Sequence, residues 1–237
     1  MASSIKALVA GLLGSNGDGL QAEQGLFHRI WDRIKQVYRQ LRGGRVDKVE
    51  RPQPAHRDRY VNQKLEKGVT DRLVERLFSG EINHQQWTLE ARQEIKKSFI
   101  AQYVYAHGGP QSMTQADWGR IGAMVKPQYA FLRNFEQDLI DGKLSEAQAK
   151  ARLRMYTKAS RQAFEQGRAY AQGLPRLPAY PGDGSTQCLS NCACHWDIDE
   201  QPTEWLAVWT LGAAEHCPDC LQRADDWAPY RVQKAMI

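Results

Sequence analysis

Apolar residues recur at helical spacing along most of this chain, and turn signals cut the pattern into segments. Residues 19–42 carry Leu26, Ile30, Ile34, Val37 and Leu41 on one face, with basic residues around the rest, and Gly43-Gly44 stops the run. Residues 45–59 are charged, hold Pro52 and Pro54, and read as an extended linker. A second helix is expected over 58–78, with Val69, Leu73, Val74 and Leu77 inward and Ser79-Gly80 as its end. A third is expected over 84–107, where Trp87, Ala91, Ile95, Phe99 and Tyr103 fall four apart, before the stop at Gly108-Gly109-Pro110.

The fourth opens at Thr114, with Asp117 three residues on, close to a capping box. Its stripe is Trp118, Ile121, Val125, Leu132, Phe135 and Leu139; Pro127 inside it predicts a kink or break near Lys126, and Gly142 closes it. The fifth opens with the full capping box Ser145–Gln148 and is expected to run to about Gly173. Its stripe is a heptad-like seam, Ala149, Leu153, Tyr156, Ser160, Ala163, Gly167 and Tyr170, whose small residues let a neighbouring helix come close.

Beyond residue 172 the periodicity ends. Residues 173–187 hold three prolines and three glycines and read as a linker or irregular wrap. No strand-rich region stands out, and residues 204–212, EWLAVWTLG, fit a short strand or a helical turn equally well. The pattern therefore predicts a mainly α chain, an elongated helical bundle with a small, loop-rich, cysteine-rich C-terminal module. Its expected parts are 1–56 (N-terminal helices and basic linker), 57–172 (helical body) and 173–237 (cysteine-rich module).

Composition changes this picture little. The 237 residues are 42% hydrophobic and 25% charged, ordinary for a globular chain, and the net charge of +5 permits an acidic partner or nucleic acid without requiring either. The apolar run 7–13 is too short to span a bilayer, and no other membrane span is expected. P-loop, dinucleotide-binding, nucleophile-elbow and HExxH patterns are all missing, and no small-molecule substrate is indicated.

The cysteines change it much more. All five lie between Cys188 and Cys220, in CLSNCACHW and EHCPDC. An odd number argues against a fully paired disulfide framework and for a reducing compartment, where clustered cysteines mean metal. A module of this size has too little core to hold itself by apolar burial, and a tetrahedral Zn²⁺ would act as a structural staple. The favoured ligands are Cys188, Cys192, Cys217 and Cys220, with Cys194 as the strongest substitute and His195 and His216 in reserve. Disulfides, or reduced thiols packed as small hydrophobes, are the competing reading. A catalytic metal is disfavoured because the HxE partner of the deaminase pattern is missing.

Trp196, Trp205, Trp209 and Trp227 suit a miniature core, with Trp227 and Tyr230 as the alternative of an aromatic anchor for a partner. The stretch 29–59 holds ten basic and four acidic residues, and Arg29, Arg33, Lys35, Arg39 and Arg42 are its candidate contacts to phosphates or an acidic surface. A zinc-knuckle nucleic-acid-binding protein is thus the alternative function, although Arg223 is the sole basic residue between Cys188 and Trp227.

The phrases YTKASRQAFEQGRAYAQG at 156–173, PAYPGDGSTQC at 178–188, NCACHW, EHCPDC and the WAP ending at 227–229 together resemble the minor head proteins of tailed bacteriophages, the phage head morphogenesis family (Mu F-like). MTQADWGRIG at 113–122 and QYAFLRNFEQDLIDGKLS at 128–145 are similar to this group as well, so the resemblance covers roughly residues 80–230. It implies a non-enzymatic virion protein, assembled in the bacterial host cytoplasm. Such a protein would act beside the portal in capsid assembly, DNA packaging or ejection, with portal and capsid proteins, and DNA as a further candidate, as its contacts.

Overall fold

The computed structural model describes residues 67–235. The 19–42 helix, the 45–59 linker, the candidate contacts Arg29, Arg33, Lys35, Arg39 and Arg42, and the start of the 58–78 helix lie outside that range.

Five helices form the body: α1 (Lys67–Phe78), α2 (His84–Ala106), α3 (Gln115–Ile140), α4 (Glu146–Lys158) and α5 (Arg161–Ala171). The helix starts are fixed by local chemistry. Thr114 and Asp117 form a reciprocal capping box at α3, and Ser145 and Gln148 do so at α4, as their spacing predicts. Asn83 and Gln86 make a third at α2 that the sequence reading passed over. The predicted stripes face inward. Trp87, Ala91, Ile95, Phe99 and Tyr103 are all fully buried, as are Leu132, Phe135, Ala149 and Leu153. Trp87 meets Phe135 edge-on at 5.1 Å, and Phe135 stacks on Tyr156 at 5.9 Å. Helix α2 is the hub, in contact with α1, α3, α4 and α5.

Two helix expectations need correction. Of the kink or break expected near Lys126, the break does not occur: α3 runs through Pro127 from Gln115 to Ile140. The predicted single helix from residue 145 to about 173 is instead two, α4 and α5, separated at Ala159-Ser160. Hydroxyls are the reason. Thr157 Oγ1 donates to Arg154 O at 3.0 Å, and Ser160 Oγ donates to Thr157 O at 2.5 Å, while Ser160 N–H bonds the same carbonyl at 3.1 Å. These bonds take up carbonyls that would continue the i→i−4 ladder. The seam survives the break, since Ser160, Ala163 and Gly167 are all buried.

The small residue in that seam has a measurable role. A Cβ on Gly167 would sit 2.8 Å from Tyr103 O and 3.0 Å from Ala106 Cβ, so α5 lies against α2 at a distance only glycine allows. Below this contact, buried Asp117 ties α3 to α2. It accepts from Tyr103 Oη at 2.7 Å, Arg120 Nη1 at 2.8 Å and Thr114 N–H at 2.8 Å. Burial pushes the Asp117 carboxyl up, but the bonds from Thr114 and Tyr103 outweigh it and hold it below its ordinary value. Burial, with the Asp117 carboxylate beside it, pushes the Tyr103 phenol up.

The C-terminal module is more regular than a loop-rich expectation allows. It holds a three-stranded antiparallel sheet, β1 (His195–Glu200), β2 (Glu204–Thr210) and β3 (Tyr230–Gln233), in the order β1-β2-β3, plus α6 (Pro218–Asp226). The ambiguous 204–212 stretch is therefore a strand. Alternation decides it: Trp205, Ala207 and Trp209 point inward and their neighbours are half exposed. Trp196 on β1 stands opposite Trp209, and the two rings meet edge-on at 5.3 Å. The 173–187 segment wraps this core and supplies Leu174, Leu177 and Tyr180 to it.

The module rests on α5. Trp196 N–H donates to Glu165 Oε2 at 3.3 Å, and Arg168 Nη2 donates to Trp196 O at 2.8 Å. Ala169 belongs to the module's core. Among the described residues, no helix is long and apolar enough to cross a membrane.

Candidate metal centre

The two halves of the cysteine set are separated in sequence by a hairpin. β1 runs out from Cys194, turns at 201–203, and β2 returns antiparallel, so that His195 pairs with Thr210. Whatever precedes β1 and follows β2 must therefore meet at one end of the sheet. There Gly212 lies so close to Ala193 that an added Cβ would be 2.3 Å from the Ala193 carbonyl oxygen. A glycine is needed at that crossing.

Each half is locally shaped. Cys188 precedes a short 3-10 turn, Leu189–Asn191, and Cys192 follows it, so the turn folds the first two thiols toward the same side. Cys217 is the N-cap of α6, Pro218 occupies the first turn, and Cys220 N–H bonds Cys217 O at 3.0 Å. This is the tight CxxC turn that aims two sulfurs together. Asp219 Oδ2 accepts from Gln187 N–H at 2.8 Å, and Arg223 Nη2 donates to Ser185 O at 2.9 Å. These two contacts fasten α6 to the loop that delivers Cys188.

The sulfurs converge. Cys188, Cys192 and Cys220 lie within 4.8 Å of one another, close enough to hold a metal ion. Cys220 Sγ is 3.7 Å from both Cys188 Sγ and Cys192 Sγ, and Cys217 Sγ is 3.7 Å from Cys188 Sγ. A tetrahedral ion with metal–sulfur bonds of ~2.3 Å separates its sulfurs by about 3.8 Å, so the spacings of Cys220 to Cys188 and Cys192 suit such an ion, while Cys217 reaches Cys188 but is not part of the mutually close trio. They are far beyond the ~2.05 Å of a disulfide, and all five cysteines are free thiols.

The remaining candidates stand around this cluster. Cys194 is fully buried, and its sulfur is 4.0 Å from His216 Nδ1. His195 turns away toward Asp197, with Nε2 at 3.4 Å from Oδ1. Thr186 Oγ1 lies 3.1 Å from Cys188 Sγ, a contact with no signal in the sequence.

Crowding divides the thiols by charge. The hydrogen bond with Cys192 lowers the Cys194 thiol to about 5, helped by the Gly212 N–H and opposed by burial. The same bond, with burial, raises Cys192. Burial raises Cys220. Burial also pushes Cys217 up, but backbone N–H groups at Cys220 and Cys188 outweigh it and lower that thiol. Thiolates this close repel, and a cation is what lets several of them ionise together.

Of the four tryptophans, Trp196, Trp205 and Trp209 are buried in the module's core and Trp227 packs against it. Trp227 is half-buried, stacks on Trp196 at 5.3 Å and meets Trp209 at 5.6 Å; Tyr230 is exposed beside it. Arg223 lies over Trp209 and Trp227 at 5.2 and 5.3 Å, so the sole basic residue of the cysteine window is engaged internally.

No family model matches this chain, and no curated protein or solved structure matches it either.

Proposed function

We propose that this chain is a virion protein of a tailed bacteriophage, a minor head protein that acts beside the portal by binding and carries no catalytic site. In this reading its C-terminal module is stapled by a structural Zn²⁺ held by Cys188, Cys192, Cys217 and Cys220, with Cys194 packed beside the site or substituting for one ligand. The bound ion would supply folding energy to a module of small core.

The observation that carries the reading is that two features fall on the same residues. The phrases that resemble the phage head morphogenesis family, NCACHW and EHCPDC, are the segments whose sulfurs converge at 3.7 Å. A sulfur-only set supports a staple, since catalytic zinc keeps an open position and a carboxylate or histidine nearby. Of the acids flanking the CxxC turn in sequence, Asp219 accepts from Gln187 N–H and Glu215 is exposed.

Quantitative mass spectrometry of purified particles tests the virion role, with this chain counted against the portal protein. A few copies per portal ring are expected. Absence from both mature and precursor particles removes the virion reading. DNA binding that weakens steeply with added salt would then favour the zinc-knuckle alternative.

A further inference from the structure

A second feature of the module has no part in the metal centre. Strand β1 is an edge of the sheet, and its outer edge is closed at one point and open at the next. At Trp196 both backbone groups point away from β2 and are capped by Glu165 and Arg168 of α5. The two-residue period of a strand points the Ile198 N–H and C=O the same way. No hydrogen bond among the described residues reaches them.

In front of Ile198 the sheet and the body separate. A cleft of 770 Å³ opens there, with Asp197, Ile198 and Asp199 on one wall and Arg168, Ala171 and Gln172 on the other. Two polar atoms of that second wall are buried and without a hydrogen bond among the described residues: Arg168 Nη1 and Gln172 Oε1. Arg168 is only 8% exposed. Its Nη1 is 3.7 Å from Glu165 Oε2, which balances its charge but leaves the donor unused. Buried polar atoms are rarely left in this state, because each forfeits its hydration.

The pieces match the needs of one kind of ligand. An extended peptide laid beside β1 would pair with Ile198 N–H and C=O. On its other side the same backbone would offer a carbonyl to Arg168 Nη1 and an N–H to Gln172 Oε1. We infer that this cleft is a docking site for an extended, basic segment of a partner protein, taken up as an added strand on β1. The preference for basic residues comes from Asp199, and from Asp197, whose carboxylate also meets Thr210 and the His195 ring, since Arg168 is already balanced by Glu165. Apolar residues between them suit Ile198 and Ala171. This inference does not depend on the metal or on the virion role.

The test uses the full chain and a capped hexapeptide of alternating lysine and valine, followed by ¹⁵N NMR and amide exchange. The amides of Ile198 and Asp199 and the side chains of Arg168 and Gln172 should shift at millimolar peptide. Exchange at Ile198 should slow by at least about tenfold. The same peptide N-methylated on alternate residues should lose binding, because it cannot form the ladder. A glutamate–valine peptide should bind at least about fivefold more weakly, and Asp199→Lys should reverse that preference. Asp199 is exposed, so its substitution leaves the fold intact. The inference is overturned if Ile198 is already protected in the free chain, if no shift appears at these residues, or if the N-methylated peptide binds as well. Equal binding of the acidic peptide overturns the basic preference.

Discussion

The helical body and the C-terminal module solve the same problem by different means. The body buries a continuous set of large side chains, from Leu73 to Ala163, and holds no cysteine. The module's core is four tryptophans, a few apolar residues of the wrap and α5, and a knot of sulfurs. A helix bundle of this size has enough apolar area to stand on packing. A sheet of three short strands does not, and it leans on α5 beneath and on whatever draws its thiols together. The body should therefore respond to volume and the module to chemistry.

The largest separation should come from removing ligands. Cys217→Ser with Cys220→Ser should melt the module and leave the body's helical circular dichroism in place. Metal content and the near-ultraviolet signal of Trp196, Trp209 and Trp227 should both be lost. Apparent metal-binding free energies of structural sites are on the order of 10 kcal/mol, well beyond what this core can replace. Full retention of fold and metal in that double variant would sink the zinc assignment.

The converse perturbation acts on volume. Phe135→Ala removes a fully buried ring packed against Trp87 and Tyr156. It should cost about 3–5 kcal/mol in denaturant unfolding while metal content stays stoichiometric. Metal lost in parallel would show that the two regions unfold as one.

A smaller effect probes the joint between them. Gly167→Ala places a Cβ 2.8 Å from Tyr103 O. It should destabilise by about 1–3 kcal/mol and also loosen the module, because α5 carries Glu165, Arg168 and Ala169.

The smallest effect is one of pH and belongs to the body alone. The folded Asp117 carboxyl sits below its unfolded value of about 3.9. Its contribution is complete above that value and is lost as pH falls through the folded pKa. Asp117→Asn should flatten the acid limb of body unfolding and leave the midpoint near neutral pH lower. An unchanged acid limb would show that the Tyr103–Asp117 bond contributes little.

The body was legible because its signal is local and repetitive. Trp87 to Tyr103 and Ala149 to Gly167 announce their faces by spacing, and Thr114 and Ser145 announce their helix starts. The break at Ser160 was missed because spacing is blind to it: Ser160 keeps the seam in register while its hydroxyl takes the Thr157 carbonyl. β1 was missed, and β2 left open between strand and helical turn, for a related reason. β1 is HWDIDE, with one buried residue, two half-buried ones and three exposed acids, and β2 is too short for its alternation to exclude a helical turn.

The cysteine cluster was legible as a set of residue types but not as an arrangement. That thiols crowd into one window is a property of the sequence, and so is the CxxC turn at Cys217. That Cys192 and Cys220 lie 3.7 Å apart is decided by the hairpin between them, which returns the chain to its starting point. That Trp227 packs against Trp196 and Trp209 is likewise decided by rings that β1 and β2 bring to it. By itself the sequence determined which faces are apolar, where α3 and α4 begin and which residues can bind metal, because those depend on near neighbours. Only the tertiary structure decided which thiols meet, how α5 serves both regions and where β1 is left unpaired, because those depend on chain segments brought together from far apart.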